Sequence, residues 1–228
     1  MIRSIRNVVC AAAVGAVFTS SQAFAFLDVQ ALVGQKTAEF SGAFYDQNEA
    51  TSNQLKVAAH INPLPLPMVT FGVGLFFSTE NYDVDVTKHG VSTTESGVQI
   101  SVPFKELTGY SVGPDFFLGF SIPGIDLMPY ARMSYAIAAI TAKGDATTND
   151  GTNEFTEADS DFAMVGKGIH TSIGVAYSPL PLISIMAEYE FGEDTMEIPE
   201  LKEGSVVIPA LEGTMKTSSL LLGVEIGI

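Results

Sequence analysis

His170 and Ser172 form an H-x-S pair. In a strand that spacing puts both side chains on one face a few ångströms apart, where the imidazole could act as base on a hydroxyl nucleophile. Glu188 or Glu190, in the next segment, could orient the ring. The same two-residue spacing gathers a wider ionisable set on one face of successive segments: Asp28, Lys56, His60, Asp115, Arg132, His170, Glu188, Glu190 and Glu225. Such a set could form a proton or ion path. It could equally be a buried network in which Lys56 and Arg132 neutralise some carboxylates and fix the register of a packed interior, and the network is the expectation here. Acid exceeds base in this set, so some carboxylates must be protonated, solvated or close to a cation.

A second candidate is the acidic run that begins Gly144-Asp145-Ala146-Thr147-Thr148-Asn149-Asp150-Gly151 and continues through Glu154, Glu157, Asp159 and Asp161 without a basic residue. Carboxylate oxygens in a loop could hold Ca²⁺ or Mg²⁺, shared with anionic lipid phosphates. The spacing and central Gly of an EF-hand are missing, and a solvated acidic loop is expected instead. The run with Glu193, Asp194, Glu197, Glu200 and Glu203 is read the same way. No P-loop, G-x-S-x-G, HExxH or dinucleotide fingerprint is present. The expectation is no metal, no cofactor and no enzyme.

The elements that must position these residues show two-residue alternation, the period of a strand with two different faces. Ile183, Ile185, Ala187, Tyr189 and Phe191 oppose Ser184, Met186, Glu188, Glu190 and Gly192. Ile169, Thr171, Ile173, Val175 and Tyr177 oppose Gly168, His170, Ser172, Gly174 and Ala176, and Leu220, Leu222, Val224, Ile226 and Ile228 oppose Ser219, Leu221, Gly223, Glu225 and Gly227. Five more segments, starting near residues 27, 54, 69, 115 and 132, read likewise, which makes eight. Three connections are short and proline-rich, at 62–67, 123–126 and 178–181; proline ends a ladder because it has no N–H to donate. Four others are long and polar, at about 38–53, 79–112, 143–165 and 193–215. The two kinds alternate, so the long loops share one end and the termini the other. An alternating stretch at Gly97–Phe104 is taken as a strand extending above the rest or as a loop hairpin.

The chain start supplies the compartment. Arg3 and Arg6, an apolar run from Val8 to Phe18, and Ala23-Phe24-Ala25 have the form of a secretory signal peptide over residues 1–25, leaving one domain over 26–228. That apolar run is too short to span a bilayer as a helix, which takes about twenty residues. Cys10, the only cysteine, falls inside the signal, so neither a disulfide nor a thiolate site is expected. The net charge of −15, or −17 without Arg3 and Arg6, excludes nucleic acid as a partner, since phosphate binding needs clustered Lys and Arg.

The polar strand face is rich in Gly, Ala and Ser and poor in charge, aromatic residues such as Phe71, Phe77, Tyr177 and Tyr189 lie toward strand ends on the apolar face, and charge collects in the loops. These features favour lipid, not a protein core, against the apolar face. With open edges excluded in hydrocarbon, the expected fold is all-β, an eight-stranded antiparallel transmembrane barrel closed by pairing its first and last strands, with a lumen filled by side chains.

Signal, strands, short turns and terminal strand together resemble the small outer-membrane barrels of the OmpA and OmpX type across essentially the whole mature chain. The resemblance implies a place in the outer membrane of a Gram-negative cell with both termini periplasmic. It also implies contact with membrane lipid and lipopolysaccharide, and insertion by the barrel-assembly machinery. Members of that group usually end in an aromatic residue, whereas this chain ends in Ile228. The H-x-S pair resembles the histidine and serine of the lipid A deacylase barrels, but their dyad faces lipid and here both residues alternate into the lumen. The expected role is structural or surface interaction in the envelope. A narrow channel and a lipid-modifying enzyme remain the alternatives, and an extracellular partner is unknown.

Overall fold

The computed structural model describes residues 27–227 except 43, 45–47, 64–67, 96–97, 123–124, 150, 152–153, 181, 204–205 and 209. The expected signal peptide and its cleavage point lie outside the described residues.

The described residues form eleven strands, in chain order β1 (Leu27–Gly42), β2 (Asn48–Ile61), β3 (Val69–Asp83), β4 (Gly90–Glu95), β5 (Val98–Phe120), β6 (Leu127–Asn149), β7 (Glu154–Leu180), β8 (Ile183–Ile198), β9 (Leu201–Glu203), β10 (Val206–Ile208) and β11 (Leu211–Gly227). Eight of them, β1, β2, β3, β5, β6, β7, β8 and β11, pair antiparallel in a ring that closes where β1 meets β11 and β3 meets β5. Closure leaves no open edge along that wall, the requirement any lipid-facing sheet must meet. The strand ends that flank the three proline-containing connections, Ile61 and Val69, Phe120 and Leu127, and Leu180 and Ile183, lie at one end of the ring with Leu27 and Gly227.

The register fixes the shape. Following partners around the ring, Ala31 pairs with Val57, then Phe77, Val112, Ile137, Lys167, Thr195 and Thr214, which pairs with Ser41. The circuit returns to β1 ten residues higher. A ten-residue stagger over eight strands, at ~3.3 Å rise and ~4.8 Å spacing, corresponds to a strand tilt of about 40° and an interior just wide enough to be filled by side chains.

The strands run far beyond the segments expected for them. β1 continues to Gly42, β6 to Asn149, and β7 begins at Glu154, so most of the polar stretches read as loops are ladder. Of the stretch expected at Gly97–Phe104, Gly97 lies outside the described residues, while Val98–Phe104 is the upper part of the fourth barrel strand and also pairs antiparallel with β4 through Val98–Pro103. A register shift between Phe104 and Glu106 separates it from the rest of β5. Ile100, Val102 and Phe104 face inward on even numbers, and Leu107, Ser111, Asp115 and Phe117 on odd ones. One bulge residue reverses the phase, which is why the strand reads as two segments in the sequence.

Hydropathy turns over along the same strands. Near the turn end the outer face is apolar: Ile173, Ile185, Leu220, Leu222 and Leu118 are each more than half exposed. There the interior is polar, with Asp28, His60, Asp115, Arg132 and Glu188 buried. Toward the loop end the outer face becomes Gln35, Thr37 and Glu39 on β1 and Glu193, Thr195 and Glu197 on β8, while the interior becomes Phe40, Phe44, Tyr82, Phe104, Phe162, Met164, Met196 and Met215, all buried in one apolar cluster. The apolar outer belt covers about nine residues of a strand, Ile183 to Phe191 on β8. At ~3.3 Å per residue and ~40° of tilt that is about 23 Å of height, close to the roughly 25 Å band of outer-membrane barrels.

Candidate functional site

Among the described residues the buried ionisable side chains converge in the polar part of the lumen, and alternation delivers them there. Every residue of the expected set faces inward: Asp28, Lys56, His60, Asp115, Arg132, His170, Glu188 and Glu190 are buried, and Glu225 is half-buried near the turn end. They form one connected network.

At the turn end, His60 bridges two strands' carboxylates, with Nδ1 2.8 Å from Asp28 Oδ1 and Nε2 2.9 Å from Asp115 Oδ2. Carboxylate oxygens only accept, so the pair is satisfied when both ring nitrogens carry a hydrogen. Asn62 donates to Asp28 at 3.0 Å, Ser134 to Asp115 at 2.8 Å, and Gln30 to Glu225 at 2.7 Å. Arg132 donates to the Gln30 side-chain oxygen and lies 3.5 Å from Asp115 and 3.4 Å from Glu188. Tyr130 adds a hydroxyl donor to Glu188 at 3.0 Å.

Lys56 carries the network upward, pairing with Glu188 at 3.3 Å and with Glu190. His170 then lies 3.6 Å from Glu190 through Nδ1 and 3.1 Å from Asp194 through Nε2. Lys36 meets Glu80 at 3.1 Å, and Ser78 donates to the same oxygen at 2.8 Å. Among the described residues the lumen thus sets seven carboxylates against Lys36, Lys56, Arg132 and the two histidines. Burial of charge on this scale is tolerable only because each group has a partner.

Lys36, Glu80, Asp194, Gln30 and Tyr130 were absent from the expected set. Lys36, Glu80 and Asp194 fall just past the expected strand ends, Asp194 within the run expected as an acidic loop. Their signal was available: each continues the inward parity of its strand, Lys36 with Asp28 and Gln30, Glu80 with Phe76, and Asp194 with Glu188 and Glu190.

The H-x-S pair does not assemble as a dyad. Both nitrogens of His170 face carboxylates, and the buried Ser172 Oγ has no hydrogen-bond partner. Both residues point into the barrel, away from any acyl chain outside it. Among the described residues no group of three or more His, Asp or Glu could hold a metal ion; residues 150, 152 and 153 of the acidic run lie outside those described.

Eight antiparallel strands closed on themselves over a filled lumen is the architecture of the small OmpA and OmpX type barrels.

No family model matches the chain, and no curated protein matches it. Solved structures similar in fold include Neisserial surface protein A, 16% identical, with 89% of this chain and 97% of that chain covered and a TM-score of 0.44. Another is Ail, the attachment invasion locus protein of Yersinia pestis, in complex with a heparin analogue: 14% identical, 88% and 99% covered, TM-score 0.41. A third is the outer membrane protein OprG from Pseudomonas aeruginosa, 10% identical, 92% and 100% covered, TM-score 0.44. The closed barrel described above follows from this chain's own ladders and stands without them.

Proposed function

We propose that the protein is an integral outer-membrane barrel that conducts no solute and acts at the cell surface through its loop end. The observation that carries this reading is the turnover of hydropathy at one level of the wall: the apolar exterior stops where the apolar interior begins. An apolar exterior over a polar interior suits hydrocarbon outside. A charged exterior over an apolar core, with Phe40, Phe104, Phe162 and Met196 inside, suits water outside. The chain therefore matches a barrel that crosses the bilayer with its lower half and projects a rigid upper half from it.

The apolar cluster also supports the non-conducting reading. Ions crossing the upper half would have to shed water among side chains that offer no polar replacement, and below it the lumen is occupied by paired charges. The acidic exterior, with Glu39, Glu49, Glu193 and Glu197 exposed, favours contacts made through the connections at the loop end over anionic ligands on the wall. Fractionation of cells expressing the full chain tests the placement: a heat-modifiable band in the outer membrane, with cleavage only at the loop end by external protease, is expected. Recovery in the soluble fraction overturns it. Steady conductance steps in planar bilayers would overturn the non-conducting reading alone.

A further inference from the structure

Above the belt one side of the wall stands taller than the other. β7 pairs with β8 only from Val165 downward, whereas its ladder with β6 continues up to Glu154. β8 ends at Ile198, which pairs with Leu211 of β11, and among the described residues β9 and β10 pair only with each other. Four strands therefore rise past the rim as one sheet, in the order β4, β5, β6, β7. Of its two borders, β4 is bridged to the β1–β2 connection at Val91 and Phe44. The other border is β7 from Glu154 to Met164, and among the described residues it has no ladder partner on the side away from β6.

That border is a formed strand before anything meets it. Its ladder to β6 shifts register once, between the Gly144–Ser160 and Ala146–Glu157 pairs. Below the shift, Ser160 to Met164 is a regular stretch of five residues, the length of an ordinary strand. Phe162 and Met164 hold it from inside, buried in the apolar cluster, while Asp161 and Ala163 are exposed. On such an edge every second residue turns its N–H and C=O away from the sheet, which is the template a further strand pairs with. An occupant gains main-chain hydrogen bonds without the cost of ordering the edge first.

Charge selects among the occupants. From Asp145 to Asp161 the chain carries Asp145, Asp150, Glu154, Glu157, Asp159 and Asp161 and no basic residue. Lys105 pairs with Asp145 at 2.8 Å, and Lys143, the ladder neighbour of Asp161, pairs with Glu106 at 3.3 Å. The last four of those acidic residues belong to the border strand itself. A second copy joined border to border sets the same carboxylates against them, and like charges across a strand pair destabilise it. A segment with Lys or Arg at alternate positions brings the opposite sign. We propose that the free edge of β7 above the belt is a docking strand for an extended, lysine- or arginine-rich polypeptide segment, which joins the β4–β7 sheet as a fifth strand. The inference rests on the loop end lying outside the bilayer, and it names the kind of partner that end takes.

The test is amide hydrogen exchange of the full-length protein, folded in detergent micelles and checked by its heat-modifiable band, with and without a synthetic peptide of alternating lysine and threonine. Saturable, several-fold slower exchange at every second amide of residues 160–164 is expected, and it should weaken at high salt. A peptide of alternating glutamate and threonine should give none. A lysine–proline peptide of equal charge should also give none, because proline cannot donate to a ladder. Asp159→Asn combined with Asp161→Asn should weaken the lysine–threonine effect several-fold; if that variant does not fold, the three peptides on the unmodified protein decide. Unchanged exchange at 160–164 with the lysine–threonine peptide overturns the proposal, as does equal slowing by either control. Slowing that grows with protein concentration in the absence of peptide also overturns it, by making a second copy the occupant. Cell fractionation decides the outer-membrane placement separately, and a failure there leaves the micelle measurement as it stands.

Discussion

Lys36 on β1 and Glu80 on β3 meet at 3.1 Å across β2, both almost fully buried, directly beneath the apolar cluster that fills the upper barrel. The pair borders that cluster, two residues from Ala38 on β1 and from Tyr82 on β3, and a lone charge there would face apolar side chains. Lys36→Met is therefore expected to destabilise the folded barrel by about 3–5 kcal/mol, because it leaves Glu80 uncompensated. Lys36→Met with Glu80→Gln should recover most of that loss. Urea unfolding in lipid vesicles measures both, and equal costs for the single and double variants would contradict the pairing.

Glycine at 174 has a packing reason. A Cβ there would lie 2.4 Å from Tyr130 Cζ and 2.6 Å from the Ala187 carbonyl oxygen. Gly174→Ala must push the Tyr130 ring off the wall and loosen its hydrogen bond to Glu188, at an expected cost of about 1–3 kcal/mol. Gly227→Ala, with no atom within 4 Å of the added carbon, should be silent. The same unfolding assay separates them.

The apolar belt predicts a depth profile for charge. Leu222 is 59% exposed at mid-belt, so Leu222→Arg should cost about 2–4 kcal/mol. Thr195 is on the same outer surface but above the belt, and Thr195→Arg should cost roughly 0–1 kcal/mol. Similar costs at the two sites would mean that the belt does not meet hydrocarbon.

Ser172 tests the enzyme alternative and the packing at once. Its buried hydroxyl is unpartnered, so Ser172→Ala should leave stability unchanged or raise it by about 1 kcal/mol. Lipopolysaccharide acylation in cells carrying the variant should match that of cells carrying the unmodified protein. A loss of deacylation in the variant alone would restore the dyad.

Acid acts on the β3–β4 turn through Asp85 only at low pH. Its carboxyl is held below the ordinary range by the Thr87 hydroxyl and N–H, with Lys88 adding to them. A depressed folded value means the contribution is present above the unfolded carboxylate range and disappears as pH falls through the lower folded value. Side-chain carbon shifts of Asp85 should thus be flat from pH 7.5 to 5. Thr87→Val should move its titration up toward that of a free aspartate.

Much of the barrel was legible because a strand's side chains alternate strictly. Ile183 to Phe191 could only be one face, and Ser184 to Gly192 the other, so the inward set from Asp28 to Glu190 followed from parity alone. The strand ends were not legible. Above the belt the apolar residues move to the inner face and polar ones to the outer face, so Thr37, Glu39 and Glu193 look like loop while still being ladder.

The sequence by itself determined the alternation, the order of strands and turns, and which side chains share a face, because those depend on a two-residue period and on proline's missing N–H. Only the tertiary structure decided the rest. The bulge at Phe104–Glu106 joins two out-of-phase segments into one strand. The ten-residue stagger sets which inward residues stand at one height. That placed Lys36 beside Glu80 and gave His170 to Glu190 and Asp194 instead of Ser172. Partner choice in a closed barrel depends on distances across the lumen, and residues far apart in the chain set those distances.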